Sequence, residues 1–226
     1  MKTTSHSTVE LLDSMGSDLS ICRSAMVSFD KNTEWVQDES GIKTLTEGDT
    51  KLLHYLAKHN HFSPFCHATL QLRVTAPIFV ARQLVKHQVG LSWNEVSRRY
   101  VDEEPVIFCP ESWRARPDGS IKQGSGKTHH DSAIWESEYY KDMEHIIGLY
   151  NTMISEGVAP EQARMLLPQA MMTSWIWTGS LMAFRRVYDL RIDTHAQAET
   201  QEVAQLIGEH CYKLFPKAWE AMEAMG

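Results

Sequence analysis

HFSPFCHATLQLRVTAPIFVARQLVKHQ, residues 61–88, changes its hydrophobic period partway through, and that change decides the kind of fold. In its first half Ala68, Leu70, Leu72 and Val74 fall on one side of a period-two pattern, as in a half-buried strand. Pro77 then stands where a helix can begin, because the first helical position has no use for the N–H that proline lacks. The run from Pro77 to Gln88 is therefore expected to be a helix.

Upstream, Asp49-Thr50 reads as a cap for KLLHYLAKHN, in which Leu52, Leu53 and Leu56 recur at helical spacing until the chain stops near Asn60. Downstream, Asp102 to Lys127 is polar and turn-rich, a long surface excursion of the kind that serves as a lid or an oligomer contact. Asp131 to Glu156 is helical again, with Ile134, Tyr139, Met143, Ile146, Tyr150 and Met153 in phase and Gly157 as the stop. A short helix from Pro160 to Leu167 ends at Pro168. MMTSWIWTG is β-branched and aromatic enough to be a strand, followed by helices at Ser180–Leu190 and Thr194–Phe215. The second helix is expected to bury Ala198, Val203, Leu206, Ile207 and Leu214. With no internal repeat, the outline is one helix-rich α+β domain over residues 1–226.

With 226 residues, 42% of them hydrophobic, the chain is long enough to bury a substantial single core. Its net charge of -7 disfavours a nucleic-acid binder that relies on diffuse positive charge, so any anion site must be local. Cys22, Cys66, Cys109 and Cys211 lie far apart, and MKTTSHSTVE has no apolar run of the signal-peptide kind. Free thiols in a reducing cytoplasm (a host's, if the protein is viral) are the expectation, with no membrane span.

Three clusters carry chemistry. ARQLVKHQVGLSWNEVSRRY, residues 81–100, crowds Arg82, Lys86, His87, Arg98 and Arg99 around Ser92, Asn94, Glu95 and Ser97. Guanidinium forks with hydroxyl and amide donors suit a phosphate, although charge runs more often form a solvated face. LRIDTHAQAETQE sets Arg191, Asp193, His195, Gln197 and Glu199 at the start of an amphipathic helix. PEQARMLLP places Arg164 among apolar neighbours, where an unpaired cation is costly if buried. Weaker signals take structural readings: His59 to His67 lacks a metal-ligand partner set, Cys109 lacks an activating base, Trp175 and Trp177 belong to a core, and His129-His130 begins a helix. No metal site is expected.

In colinear blocks the chain resembles the flavin-dependent thymidylate synthases. The blocks are HFSPFCH at His61–His67, PIFVARQ at Pro77–Gln83, ARMLLP at Ala163–Pro168 and LRIDTHAQ at Leu190–Gln197. The family's Arg-His-Arg signature, followed after seven residues by Ser, is KHQ here with eight residues before Ser97. Lys86 and Gln88 thus replace two arginines, Cys66 replaces a Glu, and Ser180 stands where an Asn is common.

The resemblance implies a thymidylate synthase-complementing-like fold with a small, mostly antiparallel sheet. It also implies a homotetramer whose composite sites hold FAD, dUMP, NADPH and methylenetetrahydrofolate, with no attack on the ring by an enzyme cysteine. Arg191 is the implied catalytic residue. Gln83, Lys86, Glu95, Ser97, Arg98, Arg99 and Arg164 join it around dUMP, with Arg99 and Arg164 on the phosphate. His61, Ser63, Lys86, His87, Gln88, Glu95, Ser180 and Arg186 correspond to FAD contacts, and His61 and His195 are candidates for orienting the rings. A pyrimidine-nucleotide hydroxymethylase and a non-catalytic nucleotide-binding homologue are the alternatives that the altered signature leaves open.

Overall fold

The computed structural model of the chain describes residues 1–101, 103–117 and 124–225. Its elements in chain order are β1 (Lys2–Thr4), β2 (Thr8–Met15), α1 (Asp18–Met26), β3 (Val36–Gln37), β4 (Lys43–Thr44), α2 (Glu47–Lys58), β5 (Thr69–Pro77), α3 (Ile78–Leu84), β6 (Leu91–Glu95), β7 (Val106–Phe108), α4 (Ser132–Ser155), α5 (Pro160–Ala163), β8 (Met172–Ser180), α6 (Leu181–Arg191), α7 (Ala198–Leu214) and α8 (Pro216–Met222). No helix among the described residues is long and apolar enough to cross a membrane.

β5 is the expected strand and lies inside a four-stranded antiparallel sheet of order β2-β5-β8-β6. Its alternation is the reason. Leu70, Leu72, Val74 and Ala76 are buried while Arg73 between them is exposed. The register sets Leu72 opposite Trp177 and Val74 opposite Trp175, and Trp93 of β6 faces Trp177, so one face of the sheet is an aliphatic and aromatic slab. α2, α6, α7 and α8 cover that slab with Leu53, Phe184, Val187, Val203, Ile207 and Trp219. The opposite face is polar, tied across strands by Gln71 to Thr178 at 3.2 Å and Thr75 to Ser174 at 3.1 Å. Truncating fully buried Leu72 to Ala costs about 3 kcal/mol, since removed contacts and an unfilled cavity add.

Several boundaries differ from the sequence reading, each for a local reason. Pro77 is the last residue of β5, paired with Met172, and keeps an extended ψ of 151° as the N-cap of α3, so the helix starts one residue later. α3 also stops at Leu84 rather than Gln88, because His87 N–H turns back to the Leu84 carbonyl and Gly90 takes a φ of +74°. α2 begins a turn before the expected cap. Thr46 is the true N-cap: its hydroxyl accepts from Asp49 N–H at 3.0 Å while the Asp49 carboxylate accepts from Thr46 N–H at 3.3 Å. Asn60, at φ +55°, ends that segment as expected.

Part of the excursion after Tyr100 forms regular structure. β7 pairs in parallel with β1, and Ile107 and Cys109 join Met143, Ile147 and Met171 in a second small core. Of the expected lid, Asp102 and residues 118–123 lie outside the described residues. On α7 the buried stripe is Val203, Ala204, Ile207 and Cys211, whereas Ala198 is exposed and Leu206 and Leu214 are half-buried. α4 buries only Met143, Ile147 and Tyr150 and leaves Ile134, Trp135 and Leu149 open to solvent. His129 and His130 precede α4 instead of opening it.

Candidate active site

Two clefts flank the β5-α3-β6 segment. In the first, Arg191 closes α6 and donates from Nε to His87 Nε2 at 2.9 Å and from Nη2 to the Gln83 carbonyl at 3.4 Å. Gln83 is itself tied to α7 by an amide hydrogen bond to Gln197 Oε1 at 2.7 Å. Since His87 Nε2 accepts, its ring is neutral with the proton on Nδ1. Burial first, and the Arg191 charge second, hold the His87 pKa below the ordinary imidazole value, which keeps that acceptor available. The cleft, about 500 Å³, is lined by Gln83, Asp189, Arg191, Asp193, His195 and Gln197 among others. His195 turns its Nδ1 to Asp193 at 2.8 Å, and its backbone and side-chain bonds hold the exposed Asp193 carboxyl below the usual carboxylate range.

The second cleft, about 660 Å³, is bounded by Glu95, Ser97, Arg98, Arg99, Arg164 and Thr173 among others. The pairing of β6 with β8 runs in register one residue further, Val96 N–H donating to the Ser174 carbonyl at 2.9 Å, and the arginines follow directly after this last ladder bond. Glu95 accepts from Thr173 Oγ1 at 2.8 Å and from Trp93 Nε1 at 3.2 Å, so both carboxylate oxygens are engaged. Arg99 Nε reaches only Ser97 Oγ at 3.2 Å, Arg164 Nε the Glu161 carbonyl at 3.2 Å, and Arg98 the Glu103 carbonyl. Among the described residues none of these three guanidinium groups pairs with a carboxylate. Thr173, which fixes Glu95, is a residue the sequence reading missed, and nothing in its local pattern marks it.

The remaining expected site residues line neither cleft. His61, Ser63, Lys86 and Gln88 are exposed, Arg186 lies over the Phe62 ring at 5.5 Å, and Ser180 caps α6 by accepting from Ala183 N–H at 3.2 Å. Within one chain the expected ring of residues is therefore split. Arg191, Gln83 and His195 share one cleft, Glu95, Ser97, Arg98, Arg99 and Arg164 share another, and the two have no lining residue in common.

Three of the four cysteines are core residues, and the exposed Cys66 lines neither cleft. Cys22, Cys109 and Cys211 are buried, and desolvation raises all three thiol pKa values, that of Cys22 to about 12. Trp175 and Trp177 are core residues, as expected. The turn before α4 gathers ligating atoms of His129, His130 and Asp131 within 4.8 Å of one another, a grouping the sequence reading passed over.

Comparison with known proteins places the chain in a family. A family described as thymidylate synthase complementing protein matches residues 10–217. A flavin-dependent thymidylate synthase of Thermus thermophilus is 33% identical over 215 residues, covering 95% of this chain and 75% of that protein. That of Kosmotoga olearia is 35% identical over 217 residues, covering 94% and 88%. A crystal structure of PolB, a UMP/dUMP methylase from Streptomyces cacaoi bound with 5-bromo-dUMP, has a TM-score of 0.85 at 28% identity over 100% of this chain and 98% of that one. Matched along nearly its whole length, the chain belongs to the thymidylate synthase complementing protein family.

Proposed function

We propose that this chain is a flavin-dependent thymidylate synthase, a methyltransferase that converts dUMP to dTMP with methylenetetrahydrofolate as one-carbon donor and NADPH as the source of reducing power. The observation that carries the reading is the clamped guanidinium of Arg191 at the floor of an open cleft. Two of its donors are fixed by His87 and Gln83, so the rest are held in place before a ligand arrives. Such preorganised donors favour negative charge that develops on a uracil carbonyl as C5 becomes nucleophilic, and they need no reorganisation at that moment. Cys22, Cys109 and Cys211 are buried and the exposed Cys66 lines neither cleft, which supports a route without a sulfur nucleophile.

Arg99 and Arg164 are the phosphate ligands in this reading, since both lack a carboxylate partner among the described residues. Gln83, Ser97 and Arg98 position the nucleotide, and Glu95 is oriented for it by Thr173. Because the two clefts are separate on one chain, a nucleotide touching both requires a site assembled from copies, as in a homotetramer. The exposed Ile134, Trp135 and Leu149 of α4 and Val89, Val96 and Tyr100 around β6 support such packing.

The donor set fits FAD. Lys86 and Arg186 offer cations for a pyrophosphate, Ser63, Gln88 and Ser180 offer hydroxyl and amide groups, and His61 offers a ring face. His87 offers only Nδ1–H, because Arg191 occupies its other nitrogen. When bound, the flavin supplies the reducing equivalents that complete the methyl group. The decisive assay is tritium release from 5-labelled dUMP with all co-substrates present, paired with mass spectrometry of the product. Release with a methylated product is expected, and no release would sink the reading. UMP belongs in the same assay as a competitor, since the solved relative from Streptomyces cacaoi is a UMP/dUMP methylase.

A further inference from the structure

We infer that Gln197, at the start of α7, is a positioning residue of the Arg191 cleft: it fixes the amide of Gln83 so that Gln83 meets the nucleotide as a hydrogen-bond acceptor. The assignment rests on the function proposed above. Gln83 is half-buried on α3 and lines the cleft. Its Nε2 donates to Gln197 Oε1 at 2.7 Å and to the carbonyl of Phe79, one turn earlier in the same helix, at 3.5 Å.

A side-chain amide can be turned end for end unless its neighbours forbid it. Here they do. The Phe79 carbonyl can only accept, so the nitrogen of Gln83 has to face it. The same nitrogen faces Gln197, which therefore has to present its oxygen. Both N–H groups of Gln83 are thereby committed within the chain. Its Oε1 receives no hydrogen bond among the described residues and is not sealed from solvent, so an acceptor is what remains for a ligand.

Gln197 can set this polarity because its own place is set. As N-cap of α7 its carbonyl accepts from Thr200 N–H at 2.8 Å and from Gln201 N–H at 2.9 Å, and the Gln201 side chain donates back to the Ala196 carbonyl at 2.7 Å. Gln83 thus joins two helices to α3, holding Gln197 of α7 with its side chain and Arg191 of α6 with its backbone carbonyl. An acceptor ordered during folding keeps its partner in one orientation, whereas a loose amide lets it tilt. At neutral pH dUMP carries two donors, the imide N3–H and the 3′-hydroxyl, and Gln83 Oε1 suits either.

The test is a double-mutant cycle on tritium release from 5-labelled dUMP, using the holoprotein with Gln83→Met, Gln197→Met and both together, changes that keep the bulk and remove the amide. Loss of one neutral hydrogen bond predicts kcat/KM about 3- to 10-fold lower for each single variant. The loss should fall mainly on kcat, because the phosphate contacts of the second cleft persist. Since Gln197 acts only through Gln83, the double variant should be no slower than Gln83→Met. A merely structural Gln197 gives losses that multiply; that result, or a parent-like kcat/KM for either single variant, overturns the assignment. Should Gln197→Met fail to fold, Gln197→Ala takes its place in the cycle. Repeating the cycle with 5-tritiated 2′,3′-dideoxyuridine 5′-monophosphate identifies the donor: a Gln83→Met loss that persists assigns N3–H, and one that vanishes assigns the 3′-hydroxyl. Absence of tritium release from the parent protein overturns the proposed function as well, whereas release by the parent with multiplying losses overturns the assignment alone.

Discussion

The two arginine clefts are built on opposite plans. Arg191 is half-buried and its guanidinium is clamped by a neutral imidazole and a backbone carbonyl. Arg99 and Arg164 are exposed and rest on a hydroxyl and a carbonyl at the rim of an open hollow. A clamped donor in a partly dry site has lost its ordering entropy during folding, so it acts most strongly on charge that appears during reaction. An exposed cation keeps its rotamer freedom and is screened by salt, so it contributes mainly to capture of a charge already present. Under the function proposed, the contrast predicts that changes in the first cleft act on turnover and changes in the second on affinity.

The sharpest way to break this contrast is Arg191→Ala. Removing a preorganised donor predicts turnover about 10²- to 10³-fold lower in tritium release, with the flavin absorbance of the purified protein retained. Equal loss of flavin and turnover would show that Arg191 is structural. Next come Arg99→Ala and Arg164→Ala, each expected to raise KM for dUMP roughly 10- to 30-fold, the scale of one charged hydrogen bond, with little change in kcat. That KM should also climb with ionic strength in the parent protein and less steeply in either variant.

His87 gives a finer probe. Its folded pKa is depressed, so the native state favours the neutral ring, and the associated stability is present above the ordinary imidazole value and lost as pH falls through the folded one. Protonation also abolishes the acceptor for Arg191 Nε and sets two cations side by side. kcat should therefore fall on the acid side, below the ordinary imidazole value. His87→Gln, which keeps an acceptor and cannot titrate, should flatten that limb, whereas His87→Leu should lower kcat about tenfold at every pH. A pH profile unchanged in His87→Gln would rule the imidazole out as the clamp. The smallest effect is expected from Arg164→Lys, which keeps the charge and loses the fork: a rise in dUMP KM of about threefold, seen by steady-state kinetics.

How much was readable in advance varies with the range of the forces involved. β5 was legible because Leu70, Leu72 and Val74 alternate with polar residues, and β8 because Thr173 to Thr178 is rich in β-branched and aromatic side chains. β6 was not. LSWNE has no period of its own and becomes a strand only by pairing with β8, where Trp93 stacks on Trp175 at 4.2 Å. The cap of α2 was misplaced by three residues because Asp49 and Thr46 both suit an N-cap, and the choice depends on Asp49 also accepting from Thr33 at 2.8 Å. Among the site residues, Arg191, Arg99 and Arg164 stood out by type and block, while Thr173 and the clamp role of His87 carried no signal, since their partners lie 78 and 104 residues away in the chain.

By itself the sequence determined the α+β class, the central strand and the inventory of cations and amides, because alternation, caps and residue chemistry act over a few neighbouring residues. Only the tertiary structure decided that the arginines divide between two clefts and that Arg191 is locked by His87 and Gln83. Those outcomes depend on strand order and helix packing, which bring together groups that the chain keeps far apart.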